Sequence, residues 1–149
     1  MKGVTDAGII LCGHGGFASG LEKAMLQIIG EQEDFAAVDF PAESTTARLT
    51  QELEAALALM SHCDSVIFLT DILGGTPFRV AATLSQGRED REVITGTNLQ
   101  LLLEMALERD SLSPAEFRRE ALACGHRGLT SLTDELQRER CCETEDEGI

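Results

Sequence analysis

Three short apolar runs, AGIILC at residues 7–12, FAAVDF at Phe35–Phe40 and SVIFLT at Ser65–Thr70, are separated by segments whose apolar residues recur every three to four positions. The first run is apolar throughout and ends at Gly13, the pattern of a strand buried on both faces. Phe17, Leu21, Met25 and Ile28 or Ile29 then form a helical stripe closed by Gly30 as C-cap. A second helix over 46–60 carries Leu49, Leu53, Ala56, Leu57 and Met60 on one face. Residues 71–76 (DILGGT) read as a loop, with Thr76 as N-cap and Pro77 opening a helix at a position where its missing N–H costs nothing. A short fourth strand is expected over 92–95, a helix over 98–108, and a last helix from Pro114 to about Arg140, with an acidic, frayed end at 143–149. Strands alternating with amphipathic helices predict an α/β fold, doubly wound, with a mostly parallel sheet between two helical layers. Right-handed crossovers leave few topologies for it.

A chain of 149 residues suffices for one core and not for two ordinary domains, so residues 1–142 are expected to form one domain followed by the tail. None of the apolar runs approaches the roughly 20 residues needed to span a bilayer. The N-terminus has no signal-peptide pattern, so a cytoplasmic location without membrane insertion is expected. The formal charge of −14 excludes a nucleic-acid binder, which needs a basic face, and favours a basic protein partner. The five cysteines, Cys12, Cys63, Cys124, Cys141 and Cys142, contain no CxxC pair. They read as reduced thiols without chemistry, with Cys12 a buried small hydrophobe.

In a doubly wound sheet, ligands bind beyond the carboxyl ends of the strands, where the order of strands reverses. Two unusual loops follow strands here: CGHGGF, with His14 among three glycines, and TDILGGTP, with Asp71 near its start. Glycines let backbone amides approach a bound group, and each loop leads into a helix N-terminus, which favours an anion. If the first and third strands are neighbours, His14 and Asp71 emerge side by side. A carboxylate accepting the Nδ1 proton would then leave Nε2 as nucleophile. Taken singly, each feature has a plainer explanation: a loop histidine, a turn-forming Asp, a loop-to-helix junction. His62 reads as solvent-facing, and His126 as a residue of the last helix. A zinc site at His14 lacks nearby His or Cys ligands, and neither a Walker loop nor a GxGxxG spacing is present. The alternative is a phospho-aspartate receiver using Asp71, but the acids that would hold its Mg²⁺ are replaced by Cys12, Gly13 and His14.

The segments GHGGFASGL (13–21), Asp39-Phe40 and TDILGGTPF (70–78) resemble the mannose-family IIA component of the bacterial phosphotransferase system (PTS). The similarity runs through Gly96-Thr97-Asn98, and residues 125–132 (GHRGLTSL) are most similar to the free-standing IIA for N-acetylgalactosamine or galactosamine. The resemblance implies strand order 2-1-3-4, with a further antiparallel strand exchanged in a homodimer. It implies a phosphotransferase component without cofactor or metal, which accepts a phosphoryl group on His14 from phospho-HPr. The group then passes to the IIB component of a complex with membrane IIC and IID subunits. Asp71 matches the hydrogen-bonded partner of that histidine. Gly15, Gly16, Gly74, Gly75 and Thr76 fall where the phosphate would be held. The family commonly has Thr where this chain has Ile72, so that hydroxyl is missing here. At 149 residues, no fused IIB domain is expected.

Overall fold

The computed structural model describes residues 6–147, with side chains through Cys141. Four strands, β1 (Ala7–His14), β2 (Phe35–Phe40), β3 (Ser65–Thr70) and β4 (Arg91–Ile94), form one sheet in the order β2-β1-β3-β4. Every pair is parallel. The helices are α1 (Phe17–Ile29), α2 (Thr46–Leu59), α3 (Thr76–Ser85), α4 (Leu99–Glu108), α5 (Pro114–Gly128) and α6 (Leu132–Glu147). The architecture is the expected three-layered α/β fold.

Strand β1 lies at the centre, and its side chains are buried from Ala7 through Cys12. Alternation divides them between two cores. Ile9 and Leu11 join Ile67, Leu69 and Ile94 under α1, α4 and α5, including Met25, Leu102, Met105 and Phe117. Ile10 and Cys12 join Val66 and Phe68 under α2 and α3, including Leu49, Leu53 and Val80. Helix α1 is on one face, with α2 and α3 on the other, as right-handed crossovers in this strand order require. The chain therefore leaves β1 toward β2 and later leaves β3 toward β4, which puts the switch point between β1 and β3.

The C-terminal region departs from expectation. The long last helix is two helices, because Leu129 is extended and Ser131 starts α6 by accepting a hydrogen bond from the Asp134 amide at 3.1 Å. The S-x-x-D spacing of Ser131 and Asp134 is a helix-start signal, and it was masked by the helical character of the residues around it. Helix α6 also continues through Glu147, into the segment expected to be frayed. Strand β4 begins one residue earlier than its pattern suggests. No fifth strand occurs among the described residues. Cys12 and Cys124 are buried, and burial is the main reason each thiol is pushed up to about 12, so neither forms a thiolate readily. Cys142 lies outside the described side chains.

Candidate functional site

The carboxyl ends of β1 and β3 bring His14 and Asp71 together. Residues Ala7 to Cys12 of β1 pair in register with Ser65 to Thr70 of β3, and β1 runs on beside β2 to His14 while β3 ends, so His14 stands next to the loop that opens with Asp71. Asp71 Oδ2 lies 2.7 Å from His14 Nδ1 and accepts the His14 backbone N–H at 2.8 Å. Its other oxygen accepts the Ile72 N–H at 2.8 Å. The carboxyl side chain is only 11% exposed. Partial burial pushes its pKa up, but the hydrogen bonds from His14 and Ile72 outweigh this and hold it below the ordinary carboxylate value.

An ionised carboxylate can only accept, so the short contact places a proton on Nδ1. In the neutral ring Nε2 then carries the lone pair, and the imidazole is 45% exposed. Phe40, at the end of β2, packs edge-on against the ring with centroids 5.8 Å apart. Gly75 closes the other side, where a Cβ would come within 2.8 Å of His14 Cε1. Side chain and backbone thus fix the ring from two directions and leave Nε2 as its reactive position. Because Asp71 has three hydrogen-bond donors on its two oxygens and no acids stand after β1, the geometry does not favour the phospho-aspartate alternative.

The predicted phosphate-holding residues are near the site but are not equivalent. Gly15 and Gly74 adopt left-handed φ values of +55° and +79°, which explains glycine at both. However, the Gly15 amide donates to the Phe40 carbonyl at 2.9 Å and is already engaged. Gly16 is the N-cap of α1, and the Ser19 amide in its first turn donates to Asp39 Oδ1 at 2.9 Å. Phe17 and Ala18, ahead of Ser19, have no intrahelical acceptor for their amides. On the other side, Gly75 rather than Thr76 is the N-cap of α3. Its extended backbone starts the helix one residue early, making Thr76 the first helical residue. Thr76 also lines a cavity of about 220 Å³ between α2 and α3 with Thr46, Thr50 and Arg79. Pro77 has no amide, so the unpaired first-turn donors of α3 are those of Thr76 and Phe78.

Three contributors lie outside the predicted set of catalytic and phosphate-holding residues. Phe40 orients the ring, Asp39 ties β2 to α1, and Arg79 Nε holds the second loop through the Gly74 carbonyl at 2.7 Å. Asp39 and Phe40 sit at the carboxyl end of the strand beside β1, and that position was the available signal. Ile72 takes part through its amide while its side chain is exposed.

Residues 8–122 match the EIIA-man family, described as the PTS system fructose IIA component. This chain belongs to that family. The mannose-specific EIIAB component of Escherichia coli strain K12 is 33% identical over 126 residues, which are 83% of this chain and 39% of that protein. The chain thus spans about two-fifths of such two-part relatives. The fructose-specific EIIA component of Bacillus subtilis strain 168 is 28% identical over 130 residues, covering 87% of this chain and 89% of its own length. The crystal structure of an EIIA component from Streptococcus agalactiae superposes with a TM-score of 0.78 at 27% identity, covering 86% of this chain and 98% of that one. The sugars in these names differ, so family membership assigns no sugar to this chain. Among the described residues, no helix is long and apolar enough to cross a membrane.

Proposed function

We propose that this EIIA protein is a phosphoryl carrier whose acceptor is Nε2 of His14. The observation that carries this reading is the 2.7 Å contact between His14 Nδ1 and Asp71 Oδ2 at the strand-order switch point. In the transfer step the Nε2 lone pair attacks the phosphorus of a phosphohistidine on HPr. The new N–P bond forms as the donor N–P bond breaks, and the donor imidazole leaves with its electron pair. The Nδ1 proton stays in place, and Asp71 balances the positive charge that develops on the ring. Reaction with the IIB component reverses these roles. A loose phosphoryl transfer needs alignment and dipoles rather than covalent help from the protein. The Phe17 and Ala18 amides of α1 and the Thr76 and Phe78 amides of α3 can supply those dipoles, together with Gly16 and Gly74. Arg79 Nε donates to the Gly74 carbonyl, which commits that part of its guanidinium to holding the second loop.

The transport system served is one for an amino sugar, N-acetylgalactosamine or galactosamine, a reading supported by similarity over residues 125–132. The protein works in the cytoplasm beside the membrane IIC and IID subunits. It is a homodimer, as the exposed Leu129 at the end of α5 and Leu132 and Leu136 at the start of α6 favour. The test is incubation of the full chain with phospho-HPr made from phosphoenolpyruvate and enzyme I, followed by peptide mapping. One phosphoryl group on His14 is expected, and labelling elsewhere would refute the proposal. Sedimentation at micromolar concentration should give about twice the chain mass.

A further inference from the structure

At the opposite, amino-terminal end of the sheet, three potential ligands of different type converge. Asp34 lies just before β2, and His62 and Cys63 lie between α2 and β3. One ligand atom from each, a carboxylate oxygen, a ring nitrogen and Sγ, all lie within 4.8 Å of one another. His62 Nε2 and Asp34 Oδ1 are already 2.7 Å apart. We propose that Asp34, His62 and Cys63 form a binding site for a zinc-like divalent cation, with the fourth position open to water.

The donor set suits such an ion. A thiolate, an imidazole and a carboxylate are the three ligand types that zinc takes in tetrahedral sites. Tetrahedral ligands at zinc distances stand about 3.3–3.6 Å apart, so the His62–Asp34 pair at 2.7 Å has to open by less than about 1 Å, and no pair starts farther apart than 4.8 Å. The backbone beneath them is firmly held. Asp34 has a left-handed φ of +50°, and its carbonyl accepts from the Ile9 amide at 3.0 Å and from Arg109 Nη1 at 2.9 Å. The buried Arg109 also bonds the Ala7 and Glu33 carbonyls, so its charge serves the backbone. Cys63 packs against Gly8, where a Cβ would lie 3.4 Å from its sulfur, and its amide donates to the Met60 carbonyl at 2.9 Å. His62 is largely exposed, which gives an ion a way in. A bound cation would link the approaches to β2 and β3, two strands separated by β1. Burial, with the Asp34 carboxylate beside it, pushes the Cys63 thiol up to about 11, so the ion itself has to displace that proton to solvent, with no oxidant or reductant needed.

The site was not visible in the sequence, because His62 and Cys63 stand 28 or more positions from Asp34 and only the fold joins them. The test uses the reduced full-length protein titrated with Co²⁺ alone as the probe, then with Zn²⁺ in competition. One equivalent should produce a thiolate-to-cobalt charge-transfer band, which Zn²⁺ removes. Cys63→Ser should abolish the band, and Asp34→Asn should weaken binding by at least about tenfold. The band should persist in His14→Ala and in a Cys141→Ser/Cys142→Ser variant. Zn²⁺ should raise the unfolding temperature of the wild type and not of Cys63→Ser. Absence of the band in folded wild-type protein, or its survival in Cys63→Ser, would overturn the proposal. Neither result would bear on phosphoryl transfer at His14.

Discussion

The two ends of the sheet each hold a histidine and an aspartate 2.7 Å apart, yet they are built differently. At the carboxyl end the pair uses Nδ1 of His14, and the carboxylate is nearly buried under three hydrogen-bond donors. At the amino end the pair uses Nε2 of His62, with a 58% exposed ring and a 27% exposed carboxylate. Only the first ring is pressed by a glycine backbone and a phenylalanine, and only its loops lead directly into helix N-termini. A His–Asp contact is therefore not a nucleophile by itself. The second end instead adds a sulfur ligand and a held backbone, which suit coordination. What surrounds each pair decides its chemistry.

The contrast is tested most severely by deleting each ring. His14→Ala should fold and accept no measurable phosphoryl group from phospho-HPr, whereas His62→Ala should label fully. Equal loss in both, measured by radiolabel incorporation, would erase the distinction. Next comes the acid. Asp71→Asn keeps the shape but removes the charge that orients the ring, so transfer should slow by about 10²–10⁴-fold while His14 remains the labelled residue. The same change at Asp34 should leave the transfer rate essentially as it was. Rapid-quench kinetics on both variants decides this.

A smaller effect is expected from the glycines. Gly75→Ala puts a methyl group 2.8 Å from His14 Cε1, and displacing the ring should slow transfer on the order of 10–100-fold. Gly8→Ala meets the flexible Met60 Sδ at 2.7 Å, so it should cost about 1–3 kcal/mol of stability and leave transfer unchanged. Denaturant unfolding alongside kinetics separates the two. The smallest effect concerns acid. The Asp71 carboxyl is held below its unfolded value, so its contribution to stability is present above about pH 4 and lost as pH falls through the depressed value. Thermal unfolding of Asp71→Asn should accordingly show a shallower fall in stability than the wild type between about pH 5 and pH 2.

Most of the carboxyl end could be read in the chain, because it is built from consecutive residues at strand ends. The apolar runs located β1, β2 and β3, and the glycine-flanked His14 and the TDILGGTP loop marked the places where they stop. The adjacency of His14 and Asp71 depended on strand order, which residue patterns left conditional and the parallel pairing of β1 with β3 supplies. Finer features were hidden for physical reasons. Whether Gly15 offers its amide depends on Phe40, 25 positions away, which takes it. Thr76 lost the cap position because a helix can begin on the extended backbone of Gly75. The break before α6 rests on a single Ser131 cap within a strongly helical stretch. The amino end was illegible altogether, since its three ligands share no local pattern.

The central claim is that Asp71, by holding the Nδ1 proton, leaves Nε2 of His14 to carry the phosphoryl group. Nitrogen-15 and phosphorus-31 NMR of the chain labelled by isolated phospho-HPr tests it most directly. The account predicts one phosphorus coupled to Nε2 of His14, with the label stable in alkali and lost in acid. A phosphoryl group on Nδ1, or an alkali-labile acyl phosphate on Asp71, would contradict it.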